Sequence, residues 1–263
     1  MTNLLRKMST KVGSGGAVSY ELVLRDQVID LNAQVGLPLS LSFTGRIFCI
    51  HCGRKTSKSF SQGYCYPCFS TLPETDMCIV KPEKCHFHLG SCRNESWGVE
   101  HCMIPHTVYL ANSSGLKVGI TRSHHKLNRW VDQGASQAIV LGETKNRLDS
   151  GLVEVTIAKL VPDKTNWRKM LQGSPLSLDL VQHKKDLLSQ LPLELPLEIR
   201  GDEIFDFSYP VIKYPEKLTS LDFEKTPTVN GILNGIKGQY LLLDTGVLNV
   251  RKFAGFEVSW ECS

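Results

Sequence analysis

The chain has 263 residues, 41% of them hydrophobic and 21% charged, and a net charge of +4. Those values describe a globular protein long enough to bury a sizeable core, and they exclude a disordered chain, a collagen and a coiled coil. No apolar run approaches the ~18 residues a membrane helix needs.

Residues 1–16 are polar and rich in glycine and serine, without the apolar block of a secretory signal, so a cytoplasmic chain with reduced thiols is expected. Nine cysteines in that setting point to metal rather than to disulfides. Charge is uneven: residues 46–130 hold 11 Lys and Arg against 5 Asp and Glu, whereas residues 173–263 hold 9 against 13. The basic part suits a polyanion, nucleic acid being the commonest, and the acidic part suits a scaffold or a protein partner. A plain solvated surface is the competing reading of the same excess.

Residues 20–24 and 39–48 read as strands of a first segment, 1–48. The next segment, 49–106, holds eight of the nine cysteines. It begins Cys49-Ile50-His51-Cys52 and, after twelve residues, continues Cys65-Tyr66-Pro67-Cys68. Each CxxC turn aims two thiolates at one point, and two such turns complete a tetrahedral sulfur site for zinc. Gly53 and Gly63 supply the permissive backbone of such knuckles. A closed four-cysteine site leaves no open position, so this zinc holds the fold and does no chemistry. A redox CxxC would not need two copies.

Cys78, Cys85, Cys92 and Cys102 suggest a second four-thiolate site. Zinc and an iron–sulfur cluster both qualify there, and His86, His88, His101 or His106 is a potential substitute for one thiol. Buried free cysteines are the plain alternative.

Residues 107–112 and 116–122 flank the turn 113–115 as a β-hairpin. Residues 126–132 form a short helix with Arg129 and Trp130, ended by Gly134. A third strand at 138–141 precedes a helical segment over 144–160, where Glu154 lies in an otherwise apolar stretch and needs a metal or cationic partner if buried. Pro162 restarts a helix through Asn166 and Trp167.

This order of two strands, a helix with arginine, a third strand and a helix with glutamate resembles the GIY-YIG nuclease superfamily. Thr107-Val108-Tyr109 matches its first motif, and Lys117-Val118-Gly119 with Thr121 matches its second. The resemblance covers 106–170, and the whole chain resembles an uncharacterised bacterial family of zinc-containing, GIY-YIG-like proteins. It implies that Glu154 holds a divalent Mg2+ or Mn2+, that Tyr109 orients the attacking water or acts as its base, and that Arg129 clamps the scissile phosphate. Asn166 matches the late asparagine of the family. Lys117 stands where the second motif usually begins with tyrosine, and Thr107 where glycine is usual. Further nucleic-acid contacts would fall to Arg122, Lys126 and Trp130, although such a tryptophan more often packs its helix onto the sheet.

Residues 173–200 read as a helix over 178–191 and a proline-spaced linker. Strands are expected at 204–207, 211–214, 229–236, 239–243, 247–250 and 255–260, an antiparallel barrel or sandwich that the N-terminal strands complete. The expected fold class is therefore α+β, with a zinc ribbon or knuckle at 49–106, a GIY-YIG-like α/β core at 107–172 and a β domain at 201–263. The expected function is a zinc-stabilised nucleic-acid-binding protein, with a leaning to structured RNA, that cuts phosphodiesters if the core is active. A catalytically silent binding module is the first alternative. An iron–sulfur or redox protein using the second cysteine group is the other.

Overall fold

The computed structural model describes residues 3–24 and 27–262, without the side chain of Cys262. The protein is mixed α+β, with several antiparallel sheets. It divides into two compact units, the first built from residues 1–70, 171–173 and 208–263 and the second from 71–170 and 174–207. Among the described residues no helix is long and apolar enough to cross a membrane.

In the first unit, strands β1 (Ser9–Val12), β2 (Val18–Leu24) and β3 (Gln27–Asp30) form a three-stranded sheet in that order. Alternate residues of β2, from Val18 to Leu24, are buried, as the period of a half-buried strand requires. The longer strand β4 (Pro38–Phe48) carries the short β5 (Lys55–Thr56) on its end.

The second unit is built on β6 (His106–Asn112), β7 (Leu116–Arg122), β8 (Gln137–Thr144), β9 (Glu198–Ile199) and β10 (Ile204–Asp206), in the order β10-β8-β6-β7 with β9 beside β8. Strands β6 and β7 are the expected hairpin, with Tyr109 opposite Gly119. Gly119 is required there: a β-carbon would lie 2.5 Å from the Tyr109 hydroxyl oxygen. The helices of this unit are the single turn α2 (Met77–Val80), then α3 (Glu95–His101), α4 (Lys126–Asp132), α5 (Arg147–Ile157), α6 (Trp167–Leu171) and α7 (Leu180–Leu188); α1 (Tyr66–Thr71) belongs to the first unit. Val108, Leu110, Val118 and Ile120 of the hairpin share one apolar core with Val153 and Ile157 of α5 and Leu180 and Leu187 of α7. Buried Lys184 of α7 donates to the carbonyls of Val140, Arg200 and Gly201 and pairs with Asp202, which straps the chain after β9 to β8.

The expected barrel does not close. The remaining strands, β11 (Thr228–Lys237), β12 (Tyr240–Leu243), β13 (Gly246–Asn249) and β14 (Phe256–Cys262), join β4 in an open sheet of order β13-β12-β11-β4-β14. Its two outer strands are occupied by irregular chain instead of by each other. Residues 3–5 exchange backbone hydrogen bonds with 255–258 along β14, and Val247 of β13 exchanges a pair with Thr219 and Leu221. Residues 211–214 are not a strand either, because Pro210 and Pro215 bracket them and proline cannot donate to a ladder. Val211 makes a single bridge to Gly235.

Trp130 is fully buried, with its ring against those of Tyr109, Phe205 and Phe207, so the reading of it as a base-stacking residue is corrected. Replacing so large a buried side chain leaves a cavity the surrounding sheet cannot fill. Trp130→Ala is expected to lower stability by about 3–5 kcal/mol, read as a reduced urea midpoint with an unchanged slope.

Candidate functional site

The first cysteine group grows out of β4. The Cys49 amide donates to the Arg54 carbonyl and the Gly53 amide to the Cys49 carbonyl, a tight turn closed by Gly53 at φ 70°. Ile50 takes a backbone hydrogen bond from its amide to the Gly63 carbonyl. Gly63 has φ 130°, and a β-carbon on it would sit 2.7 Å from the Ile50 side chain, so only glycine lets the two knuckles meet. Phe60 packs on Tyr66 and Phe69 beside the second knuckle.

The four sulfurs of Cys49, Cys52, Cys65 and Cys68 lie within 4.8 Å of one another. The Cys52 and Cys65 sulfurs are 3.7 Å apart, whereas four thiolates at zinc–sulfur bond length around one ion stand about 3.8 Å apart. Cys49 and Cys65 are buried, Cys68 is half-buried and Cys52 exposed. Burial raises the Cys49 thiol, but backbone N–H groups of Cys52, Cys65 and His51 outweigh it and bring the thiol down to about 6. The four cysteines form a group that could hold a metal ion such as zinc.

The second candidate site lies in the other unit. Tyr109 and Lys117 are both buried on the β6–β7 hairpin, and the Tyr109 hydroxyl donates to Gln133 Oε1 at 2.8 Å while Lys117 Nζ reaches the same oxygen at 3.3 Å. The Arg129 cation, in the last turn of α4, lies within electrostatic reach of the Tyr109 hydroxyl. Glu154 is half-buried on α5, and among the described residues its side chain makes no hydrogen bond or ion pair.

Charge ties these groups together. Burial lowers Lys117 to about 8, and the Arg129 cation pushes it the same way against the pull of Glu154 and Asp163. Burial raises the Glu154 carboxyl, opposed by Arg129 and Lys117. Burial likewise raises the Tyr109 hydroxyl.

Tyr109, Lys117, Arg129 and Glu154 are thus brought into one charged neighbourhood. Asn166 is not: it is exposed, and its side-chain oxygen accepts from the amides of Arg168 and Lys169, capping α6. Arg122 is half-buried and lowered by burial, with the Arg147 cation adding to that. Lys126 lies 5.3 Å over the Phe205 ring. Gln133, which receives both buried donors, was beyond sequence reading, since nothing in its position after α4 marks it. His106 is also buried, with Nδ1 on the Ile104 carbonyl and Nε2 unpartnered among the described residues, and burial lowers it to about 4.

The family model described as protein of unknown function, DUF2797, matches residues 36–258. No curated protein and no solved structure matches the chain.

Because ligation requires thiolates, a bound metal leaves as the thiols protonate, and its loss unfolds the segment it ties. Cys65→Ser is expected to lower the zinc content of the purified chain by one ion per molecule and to expose residues 46–70 to limited proteolysis. Metal analysis and peptide mapping check both.

Proposed function

The chain belongs to the DUF2797 family, and we propose that this member is a zinc-stabilised nucleic-acid-binding protein that holds the phosphate backbone at Arg129 and Lys117. The observation that carries the reading is the pairing of two cations, Arg129 and Lys117, the lysine lowered chiefly by burial and further by the arginine, beside one half-buried carboxylate that makes no hydrogen bond or ion pair among the described residues. Such a cluster suits an oxyanion: an arginine fork takes two phosphate oxygens, and the lysine adds a point charge. The basic balance of residues 46–130 supports the same class of ligand. Tyr109 and Lys117 lie beneath Gln133, so Arg129 makes the first contact.

A second reading, phosphodiester hydrolysis, is favoured by the Tyr109 hydroxyl, which a pure binding site does not need. The GIY-YIG resemblance implies one divalent cation on Glu154. The residues fit it: Mg2+ takes one or two carboxylates and completes its shell with water and substrate oxygens, and Glu154 has a free carboxyl with Asp163 within electrostatic reach. Glu154 would hold the ion, which when bound neutralises phosphate charge. In this reading Arg129 grips the phosphate, and the Tyr109 hydroxyl, which donates to Gln133, orients the water.

Binding and cleavage are separated by a labelled panel of single-stranded, duplex and structured DNA and RNA with Mg2+ or Mn2+. Arg129→Ala is expected to weaken binding across sequences and to reduce the salt slope by about 1. Glu154→Gln is expected to abolish cleavage while retaining binding. Absence of binding by the wild type to every member of the panel would overturn the proposal.

Lys117 gives the pH dependence. Its folded value of about 8 lies below the ordinary 10.5, so the native state binds fewer protons than the unfolded chain between those values, and this group's contribution to stability rises with pH across that window. The same deprotonation removes a charge the phosphate needs. Affinity is therefore expected to fall as pH climbs through about 8, with Lys117→Met removing that step in a fluorescence-anisotropy titration.

A further inference from the structure

The second cysteine group forms a site of its own. Cys78, Cys85 and Cys102 are buried in one cluster, with Phe87, Trp97 and Leu148 packed against it. Cys92 lines the same small cavity as those three. The Cys102 and Cys78 thiols neighbour the Cys85 sulfur and favour its thiolate. Gly98 makes room for the fourth, since a β-carbon there would lie 3.1 Å from the Cys92 sulfur and 2.7 Å from the Phe87 ring.

Asp76 and His86 border the cluster with ligand atoms within 4.8 Å of one another and of the Cys78 sulfur, but each is also held by a further neighbour. The Asp76 carboxylate pairs with Arg93 at 2.7 Å and caps the Cys78 amide, and His86 Nδ1 meets the Ser91 hydroxyl at 2.9 Å. Four thiols are left as the donor set. Four thiols lining one small cavity suit a single tetrahedral ion. An iron–sulfur cluster seats each thiolate on its own iron and spreads them further.

Four thiolates on one Zn2+ carry a net charge of about −2, which nearby cations offset. Arg147 supplies this: its side chain donates to the carbonyls of Cys78 and Ile79, and its charge faces Cys85 and Cys102. The Arg147 amide donates to the Cys102 carbonyl at 2.8 Å. One turn on, Gly151 lies so close to residues 82–83 that a β-carbon would be 2.3 Å from the Glu83 amide nitrogen. The cysteine loop therefore clasps the first half of α5, and Glu154 follows three residues after Gly151.

We propose that Cys78, Cys85, Cys92 and Cys102 bind one structural zinc ion that clamps the start of α5 and thereby fixes the position of Glu154. The ion touches no substrate, and Glu154 is held through the helix. The proposal needs no nucleic acid, so it stands or falls apart from the binding reading.

Metal analysis of the full chain is expected to give two zinc ions per molecule, one lost in Cys85→Ser and the other in Cys65→Ser. Hydrogen exchange over 147–157 is expected to accelerate about tenfold in Cys85→Ser and to stay unchanged in Cys65→Ser. Should Cys85→Ser fail to fold, cobalt-substituted wild type gives the same test, with charge-transfer absorption for four thiolates on each of two cobalt ions expected. One zinc ion per wild-type chain, iron with visible absorption, a mixed nitrogen–sulfur cobalt spectrum, or unchanged α5 exchange after loss of the ion would each overturn it.

Discussion

Every residue of β6, from His106 to Asn112, is buried, and the second unit is arranged around that constraint. A strand covered on both faces has no solvent in which to satisfy a polar side chain, so each polar group on it must find a protein partner or remain costly. His106 uses the Ile104 carbonyl, Thr107 the Ser123 hydroxyl, Tyr109 the Gln133 amide and Asn112 the Leu176 carbonyl. These partners come from the loop before the strand, the turn after β7, the end of α4 and the segment before α7. The polar side chains of one strand thus fix the positions of several connections at once.

The two faces of β6 divide the labour. Val108 and Leu110 point into the apolar core shared with α5 and α7, where burial is the dominant stabilising effect. Tyr109 points the other way, onto Trp130 and over Gly119. Because the strand cannot slip by one residue without exchanging its faces, the apolar core also holds Tyr109 and Lys117 in register.

The legible parts of the sequence were those with short-range rules. The CxxC turns carry their ligand geometry within four residues, and the Cys49–Cys68 group assembles as the spacing indicates. Strands over 106–112 and 116–122 were visible because alternation and a Ser-Ser-Gly turn are local signals. Arg147 was not legible as a partner of the cysteine loop, because an arginine at a helix start looks like any solvated residue until Cys78 and Ile79 are beside it. The open sheet was missed for a related reason. Segments 3–5 and 219–221 lack strand alternation, yet they occupy the positions that a closing strand would take. That Asn166 caps α6 was not legible, because a helix-capping asparagine and a functional one are the same letter in the same place.

Those occupied borders have a further consequence. An uncovered outer strand offers unpaired amides and carbonyls to any passing chain and invites aggregation. Here Asn3 and Leu5 block that templating along β14, and Thr219 and Leu221 block it along β13. Residues 3–5 act as a selvedge on the sheet, and removing them would leave an adhesive hem along β14.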